Sequence, residues 1–406
     1  KNLLTLVSVL SLSAYGQRTC GTDKKMAEFF VANPEVAANR TALKDFLVNN
    51  KSQLNRKAGV ITIPVVVHVL YSNATMNISD AQIASQMKVL NDDFRKLNAD
   101  FSTAVPTVFQ GVAADMELAF CLATKKPDGS STNGIERKSV ASNFNFNNNY
   151  YKSSGLPSWD TTKYLNIWVG NMTTYLGWAY LPDNAGGSDD GLAIGYKYFG
   201  TTGTVVSPYN KGRTATHEIG HYFGLNHIWG DEENSCGTSL GDDGCADTPA
   251  TKEPYFGTPT FPTNTYACTT SANGSMFMNY MDYVDDVAMA MFTNDQKTIT
   301  QNTMAGPRAS LLNSNACSST LGVDDVEKSN SINVFPNPAV NYISIASPLV
   351  KINEVEIFGN DGRLVKRANI KNETDKIDVK SLPVGTYFVR TYDNGNFIKS
   401  MKFIKQ

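Results

Sequence analysis

Apolar positions fall in three kinds of pattern along the 406-residue chain. The first is a short unbroken run, Leu3-Leu4-Thr5-Leu6-Val7-Ser8-Val9-Leu10-Ser11-Leu12, behind Lys1 and ahead of Ala14-Tyr15-Gly16. A basic start, a short apolar stretch and small residues where a signal peptidase reads predict a secretory signal over 1–16, cleaved after Gly16. The run is too short for a transmembrane helix, and no other segment is long and apolar enough to span a bilayer. The second pattern mixes strand runs with helical spacing between residues 58 and 318. Residues 60–71 read as the first core strand. Ser79 caps a helix with Gln82 completing a capping box, and Ile83, Met87, Leu90, Phe94 and Leu97 recur at helical spacing. Met116, Leu118, Phe120 and Leu122 mark a strand, Pro127-Asp128-Gly129 a turn, and 142–154, rich in Asn, Phe and Tyr, an exposed loop. Three further strands follow at 164–169, 176–182 and 191–196. This order predicts a mixed α/β (α+β) sheet with two supporting helices. The third pattern, over 331–406, alternates short strands and turns and predicts a small all-β sandwich with its own core. A polar linker, 319–330, separates the two.

Residues 17–57 precede every core strand, which is where a propeptide would lie. They carry a helical pattern through Met26, Phe29, Phe30 and Val31, and Asn55-Arg56-Lys57 is a natural place for activation cleavage. A formal net charge of −2 gives no argument for nucleic acid or an anionic membrane surface. Export makes disulfides permissible among the six cysteines.

Three of the four histidines fall in His217-Glu218-Ile219-Gly220-His221-Tyr222-Phe223-Gly224-Leu225-Asn226-His227. On a helix, His217 and His221 project from one face and can share one zinc ion. Gly224 can take positive φ, end the helix and bring His227 round as third ligand. Three ligands leave the fourth position to water, the arrangement of a catalytic zinc. Glu218 stands where it can take the proton of that water and deliver it to a leaving amine. The fourth histidine, His68, lies in an apolar strand and reads as a hydrogen-bonded core residue.

With these residues the chain resembles the metzincin metallopeptidases. Phe277-Met278-Asn279-Tyr280-Met281-Asp282-Tyr283, together with His227-Ile228-Trp229-Gly230-Asp231 and Ala246-Asp247-Thr248-Pro249, narrows the resemblance to the pappalysin (cytophagalysin) branch. The resemblance implies a secreted zinc endopeptidase acting on proteins or peptides as a monomer, with a metzincin-like catalytic domain over 58–318. It implies that Met281 underlies the zinc site, that the Tyr283 hydroxyl stabilises the tetrahedral intermediate, and that the strand at 176–182 is the cleft edge to which an extended substrate adds.

Several residues keep two readings. Cys20, in Arg18-Thr19-Cys20-Gly21, either holds the open zinc position in a zymogen or is a disulfide partner. Asp242, Asp243, Asp247 and Thr248 either bind a structural calcium or form a solvated acidic loop. Among Cys236, Cys245 and Cys268 one pair is expected to close this loop. Asp285 and Asp286 either line the S1′ pocket, favouring Lys or Arg after the scissile bond, or are solvated surface acids. The C-terminal sandwich, with Pro336-Asn337-Pro338, Asn360-Asp361-Gly362 and Gly385-Thr386-Tyr387, resembles the sorting domain of type IX secretion substrates, which implies passage through the periplasm to the surface or medium. The alternative for it is a carbohydrate-binding or adhesive domain. Against the peptidase stand a zinc-binding surface adhesin without turnover, which would not need Glu218, and a hydrolase of non-peptide amides.

Overall fold

The computed structural model describes residues 17–50, 59–230, 236, 243–317, 331–348, 351–360, 363–372, 375–393 and 396–406. The signal at 1–16, the cleavage stretch 55–57, the linker and Asp242 lie outside the described residues. Two compact units divide the chain, Lys1–Ser319 and Thr320–Gln406.

The first unit begins with two helices, α1 (Thr22–Ala32) and α2 (Pro34–Asn49), and then enters the sheet through β1 (Ile61–Tyr71). A Val- and Ile-rich run is what a strand covered on both faces requires, and residues 63–70 of β1 are all buried. After helix α3 (Asp80–Asp93) come β2 (Leu118–Leu122), β3 (Ile135–Ser139), β4 (Leu165–Gly170), β5 (Gly177–Ala179) and β6 (Leu192–Gly195). Their order is β2-β1-β4-β6-β5, with β3 also paired to β1. All pairings are parallel except β5 on β6, so the sheet is mixed and β5 lies at its end. The histidine helix (Arg213–Tyr222), buried along its whole length, packs against α3, β5 and β6. Two short strands, β7 (Phe256–Gly257) and β8 (Tyr283–Val284), pair in parallel, and a closing helix (Asn294–Ala305) packs on α2.

Two sequence expectations are corrected. Ser79 accepts from Gln82 N, but the Gln82 amide does not return to complete a capping box. It is buried: its Nε2 donates to the carbonyls of Tyr196 and Phe199 at 3.1 and 2.9 Å, and its Oε1, which would have accepted from Ser79 N–H, accepts from Thr204 N at 3.1 Å instead. A full capping box occurs instead at Thr293 and Gln296. The segment 142–154 is exposed along much of its length but is not a free loop: Phe146–Asn149 forms a helical turn, and Phe146 and Tyr150 are buried with Trp168 and Trp178 in a second aromatic core. His68 is the expected core histidine, its two nitrogens 2.9 Å from Glu136 and Asn166.

The strand pairs of the second unit are all antiparallel. Strands β9 (Asn333–Phe335), β10 (Tyr342–Ala346), β11 (Glu354–Gly359), β12 (Leu364–Asn369), β13 (Ile377–Asp378), β14 (Gly385–Asp393) and β15 (Asn396–Lys405) form sheets ordered β13-β10-β9 and β12-β11-β14-β15. Alternate residues Ile343, Ile345, Val355, Ile357, Val389 and Phe403 supply its core.

Candidate active site

His217 and His221 stand one turn apart on the histidine helix. After Tyr222 the chain turns back at Gly224, whose φ of +91° suits a residue without a Cβ, and Leu225 N closes on Gly220 O at 3.0 Å. That turn brings in His227. Nδ1–H of His217 donates to Tyr280 O and that of His221 to Leu225 O, both at 2.7 Å, which turns their Nε2 lone pairs toward a common point. Nε2 of His221 lies 3.2 Å from that of His217 and 3.1 Å from that of His227. With both Nδ1 protons already used, His217 and His221 have no proton to share between their Nε2 atoms. Spacings near 3.3 Å are what tetrahedral ligands about 2.05 Å from one ion require. Burial first, and crowding by the other imidazoles next, push His217 well below its ordinary range and His221 to about 3, so both stay neutral ligands. Burial also pushes the Glu218 carboxyl up to about 8, against hydrogen bonds that lower it.

The turn at 279–283 builds the floor. The Asn279 side chain accepts from Met281 N at 2.9 Å and exchanges hydrogen bonds with Gln296, fixing the turn from inside. Tyr280 thereby presents its carbonyl to His217. Met281 is fully buried beneath the histidine helix, and a Cβ on Gly220 would collide with its sulfur, so the glycine is what permits the approach. The Tyr283 ring stands edge-on to His227, centroids 4.9 Å apart.

The N-terminal segment covers this centre. Cys20 belongs to neither disulfide, which join Cys121 to Cys317 and Cys236 to Cys268; its Sγ and the histidine nitrogens all lie within 4.8 Å of one another. Thr19 O and Gly21 N bond Leu176 N and Gly177 O at 2.9 Å each, so the segment runs parallel to the edge of β5. Thr22 Oγ1 donates to Glu218 Oε2 at 3.2 Å and accepts from Ala179 N at 3.0 Å. Asp23 Oδ2 faces His227 Nδ1 at 3.4 Å.

Arg18 is buried. Its Nη2 bonds Asp286 Oδ1, Nε donates to Val284 O at 3.1 Å, Nη1 to Thr214 Oγ1 at 3.4 Å, and the guanidinium lies 4.8 Å from the Tyr209 ring centre. Asp286 is therefore no solvated acid. Its second oxygen accepts from Lys211 N at 2.7 Å, just ahead of the histidine helix. Asp285, by contrast, is partly exposed and faces Thr258.

The other acidic loop, where it is described, is engaged within the protein except for Asp247 Oδ1, which is buried without a hydrogen-bond partner. Asp243 accepts from Thr248 Oγ1 and Cys245 N at 2.8 and 2.9 Å, and Asp247 from Asp295 N at 3.1 Å. Among the described residues the one metal-ligand cluster is Cys20 with the three histidines.

The profile of the pregnancy-associated plasma protein-A peptidases matches residues 148–305, and that of a secretion system C-terminal sorting domain matches 333–406. Mature mirolysin of Tannerella forsythia, solved with a cleaved peptide, is 43% identical, covering 63% of this chain and 97% of that one at a TM-score of 0.59. The chain belongs to the pappalysin family of metallopeptidases. Promirolysin of the same organism, solved as a point mutant, is 40% identical over 73% of the pappalysin and 97% of its own chain, with a TM-score of 0.64. An extracellular metalloprotease of Colletotrichum graminicola is 27% identical over 327 residues, 76% of this chain and 98% of that one. The pappalysin is a secreted metalloendopeptidase with a type IX secretion sorting domain, and no described helix is long and apolar enough to cross a membrane.

Sequence reasoning on the pappalysin missed Thr22, Asp23 and Gly177, and gave Arg18 no role of its own. A Cβ on Gly177 would come within 3.1 Å of Glu218, so this glycine lets the edge strand pass close to the carboxylate. Arg18 could have been found as the one cation beside Cys20 that an acidic pocket would hold. It missed Arg308 too, whose buried guanidinium binds Asp190 and the Tyr222 carbonyl, and so anchors the end of the histidine helix.

Proposed function

We propose that the pappalysin is a zinc endopeptidase, made as a latent precursor, that cuts peptide bonds followed by arginine and, more slowly, lysine. The observation that carries this reading is Arg18 on Asp286, two residues from a cysteine at the three histidines. Zinc on His217, His221 and His227 supplies Lewis acidity toward the scissile carbonyl and the attacking water. Glu218 takes the proton from that water and passes it to the leaving nitrogen. Tyr283 donates a hydrogen bond from its phenol hydroxyl to the developing oxyanion. Leu176 N and Gly177 O, taken by the precursor's own segment, are the groups to which an extended substrate adds.

The pocket around Arg18 offers partners to three separate guanidinium nitrogens and an aromatic face, which suits arginine better than the single ammonium of lysine. Latency follows from the same segment: with zinc bound, the Cys20 sulfur would serve as a further ligand beside the three histidines, and Thr22 holds the Glu218 carboxylate. The longer match to promirolysin than to mature mirolysin supports this.

The test is a mass-spectrometric digest of a proteome-derived peptide library by the activated protein, with Glu218→Ala as control and zinc measured in both. Cuts before arginine are expected, absent from the control and from chelated enzyme, and restored by zinc. Cuts clustered elsewhere discard the Asp286 pocket. A folded, zinc-loaded protein that cuts no better than the control overturns the role given to Glu218.

A further inference from the structure

We infer that the substrate path contains a second acidic subsite, in which Asp285 selects a basic side chain one residue beyond the Asp286 pocket. This rests on the reading of Asp286 as the pocket for the first residue after the cut. A cavity of about 560 Å³ opens there, lined by Gln17, Pro208, Tyr209, Phe256, Gly257 and Asp285.

Three observations tie the cavity to the substrate path. Gln17 directly precedes Arg18, so a chain leaving the Asp286 pocket away from the histidines enters this cavity. Tyr209 is a shared wall: its ring lies beside the Arg18 guanidinium and also lines the cavity, and burial followed by the charges of Arg18, Asp285 and Asp286 sets its phenol at about 12. Asp285 is placed by the β7–β8 pair, since its N–H donates to Gly257 O at 2.8 Å, and the same pairing fixes Val284, whose carbonyl receives Arg18.

The two neighbouring carboxylates are then put to different uses. Asp286 is fully buried and divides its oxygens between Arg18 and the start of the histidine helix. Asp285 is partly exposed at the cavity wall and receives a long 3.5 Å contact from Thr258. Its carboxyl is lifted above the ordinary range, chiefly by burial, so a cation arriving there relieves an unfavourable charge. Phe256, Pro208 and Tyr209 offer apolar surface for the stem of a lysine or arginine whose head reaches Asp285. In the precursor Gln17 lines this cavity, exposed, and brings no positive charge to Asp285.

The experiment uses the full chain, freed of its N-terminal segment by trypsin that is then removed, as wild type and as Asp285→Asn. Substrates carry arginine after the cut and lysine, glutamine or glutamate at the next position. Wild type is expected to favour lysine over glutamate by about tenfold or more in kcat/KM, and Asp285→Asn to compress that ratio to about threefold or less. Phe256→Ala, which keeps the carboxylate, is expected to slow the lysine substrate while leaving it ahead of glutamate. An unchanged ratio in Asp285→Asn, or a wild type indifferent at this position, overturns the inference. A wild type that does not prefer arginine over alanine at the first position overturns the Asp286 pocket instead, so the two failures are read apart in one assay.

Discussion

The metal centre and the segment that covers it are built by opposite means. The three histidines lie between positions 217 and 227, on one helix and the turn that ends it, and two of them are aimed by backbone carbonyls. Arg18 and Cys20 lie on an extended stretch and Thr22 at the first turn of α1, and their side chains reach partners as far as 268 positions away. A helix carries its own geometry, so its side chains converge wherever it is placed. An extended stretch takes its geometry from the surface it adds to, here the edge of β5 and the Asp286 pocket. The first region is thus suited to permanent chemistry and the second to something that must come away.

Asp286 belongs to both regions, and replacing it gives the largest effect. Asp286→Asn keeps an oxygen for Lys211 N but loses the charge facing arginine. Truncating one partner of a buried ion pair costs about 2–5 kcal/mol, so kcat/KM for substrates with arginine after the cut is expected to fall on the order of 100-fold. A peptide with alanine there should change by less than about threefold by the same reasoning. If the two substrates fall together in steady-state assays, Asp286 acts through the histidine helix and not through the substrate.

The hold of the N-terminal segment comes next. Cys20→Ala in the full chain is expected to shorten the half-time for loss of the segment by about tenfold or more, equivalent to about 1.4 kcal/mol of lost ligation. Thr22→Val removes two hydrogen bonds, one to Glu218 and one from Ala179 N, worth about 0.5 kcal/mol each when water replaces them on release, and should shorten it by about fivefold. Intact-mass time courses measure both. If Thr22→Val releases the segment as fast as Cys20→Ala, the main latch is on the carboxylate and not at the metal.

The same contrast explains what was legible in the sequence. His217, His221, Gly224 and His227 declare themselves because their geometry is local, and β1 does because a strand buried on both faces has to be apolar. The role of Arg18 is set by Asp286, and nothing between the two positions encodes their meeting. Asp285 and Asp286 look alike in sequence, yet one is sealed and the other opens to a cavity. Phe146 and Tyr150 were hidden by the asparagines around them, although aromatic side chains bury readily wherever partners such as Trp168 and Trp178 wait.

Even the helix that carries its own chemistry depends on distant residues for its footing, and the smallest effect on turnover is expected there. Asp93, on α3, accepts from Thr216 Oγ1 at 2.8 Å and lies 3.5 Å from Arg213, which also grips Asp100. Burial pushes its carboxyl up to about 6, with Arg213 opposing. Unfolded, this group loses its proton near pH 4; folded, it keeps it to about 6. Between those values the folded protein binds more protons than the unfolded chain, so this group makes stability fall as pH rises, by up to about 1.4 kcal/mol per pH unit. Asp93→Asn cannot ionise and lacks that slope. Urea unfolding at pH 4 and pH 6 should therefore show Asp93→Asn gaining roughly 2 kcal/mol on wild type across the interval. A difference that stays flat, or that runs the other way, means Arg213 keeps Asp93 ionised in the fold and that the histidine helix rests on an ion pair instead of a protonated carboxyl.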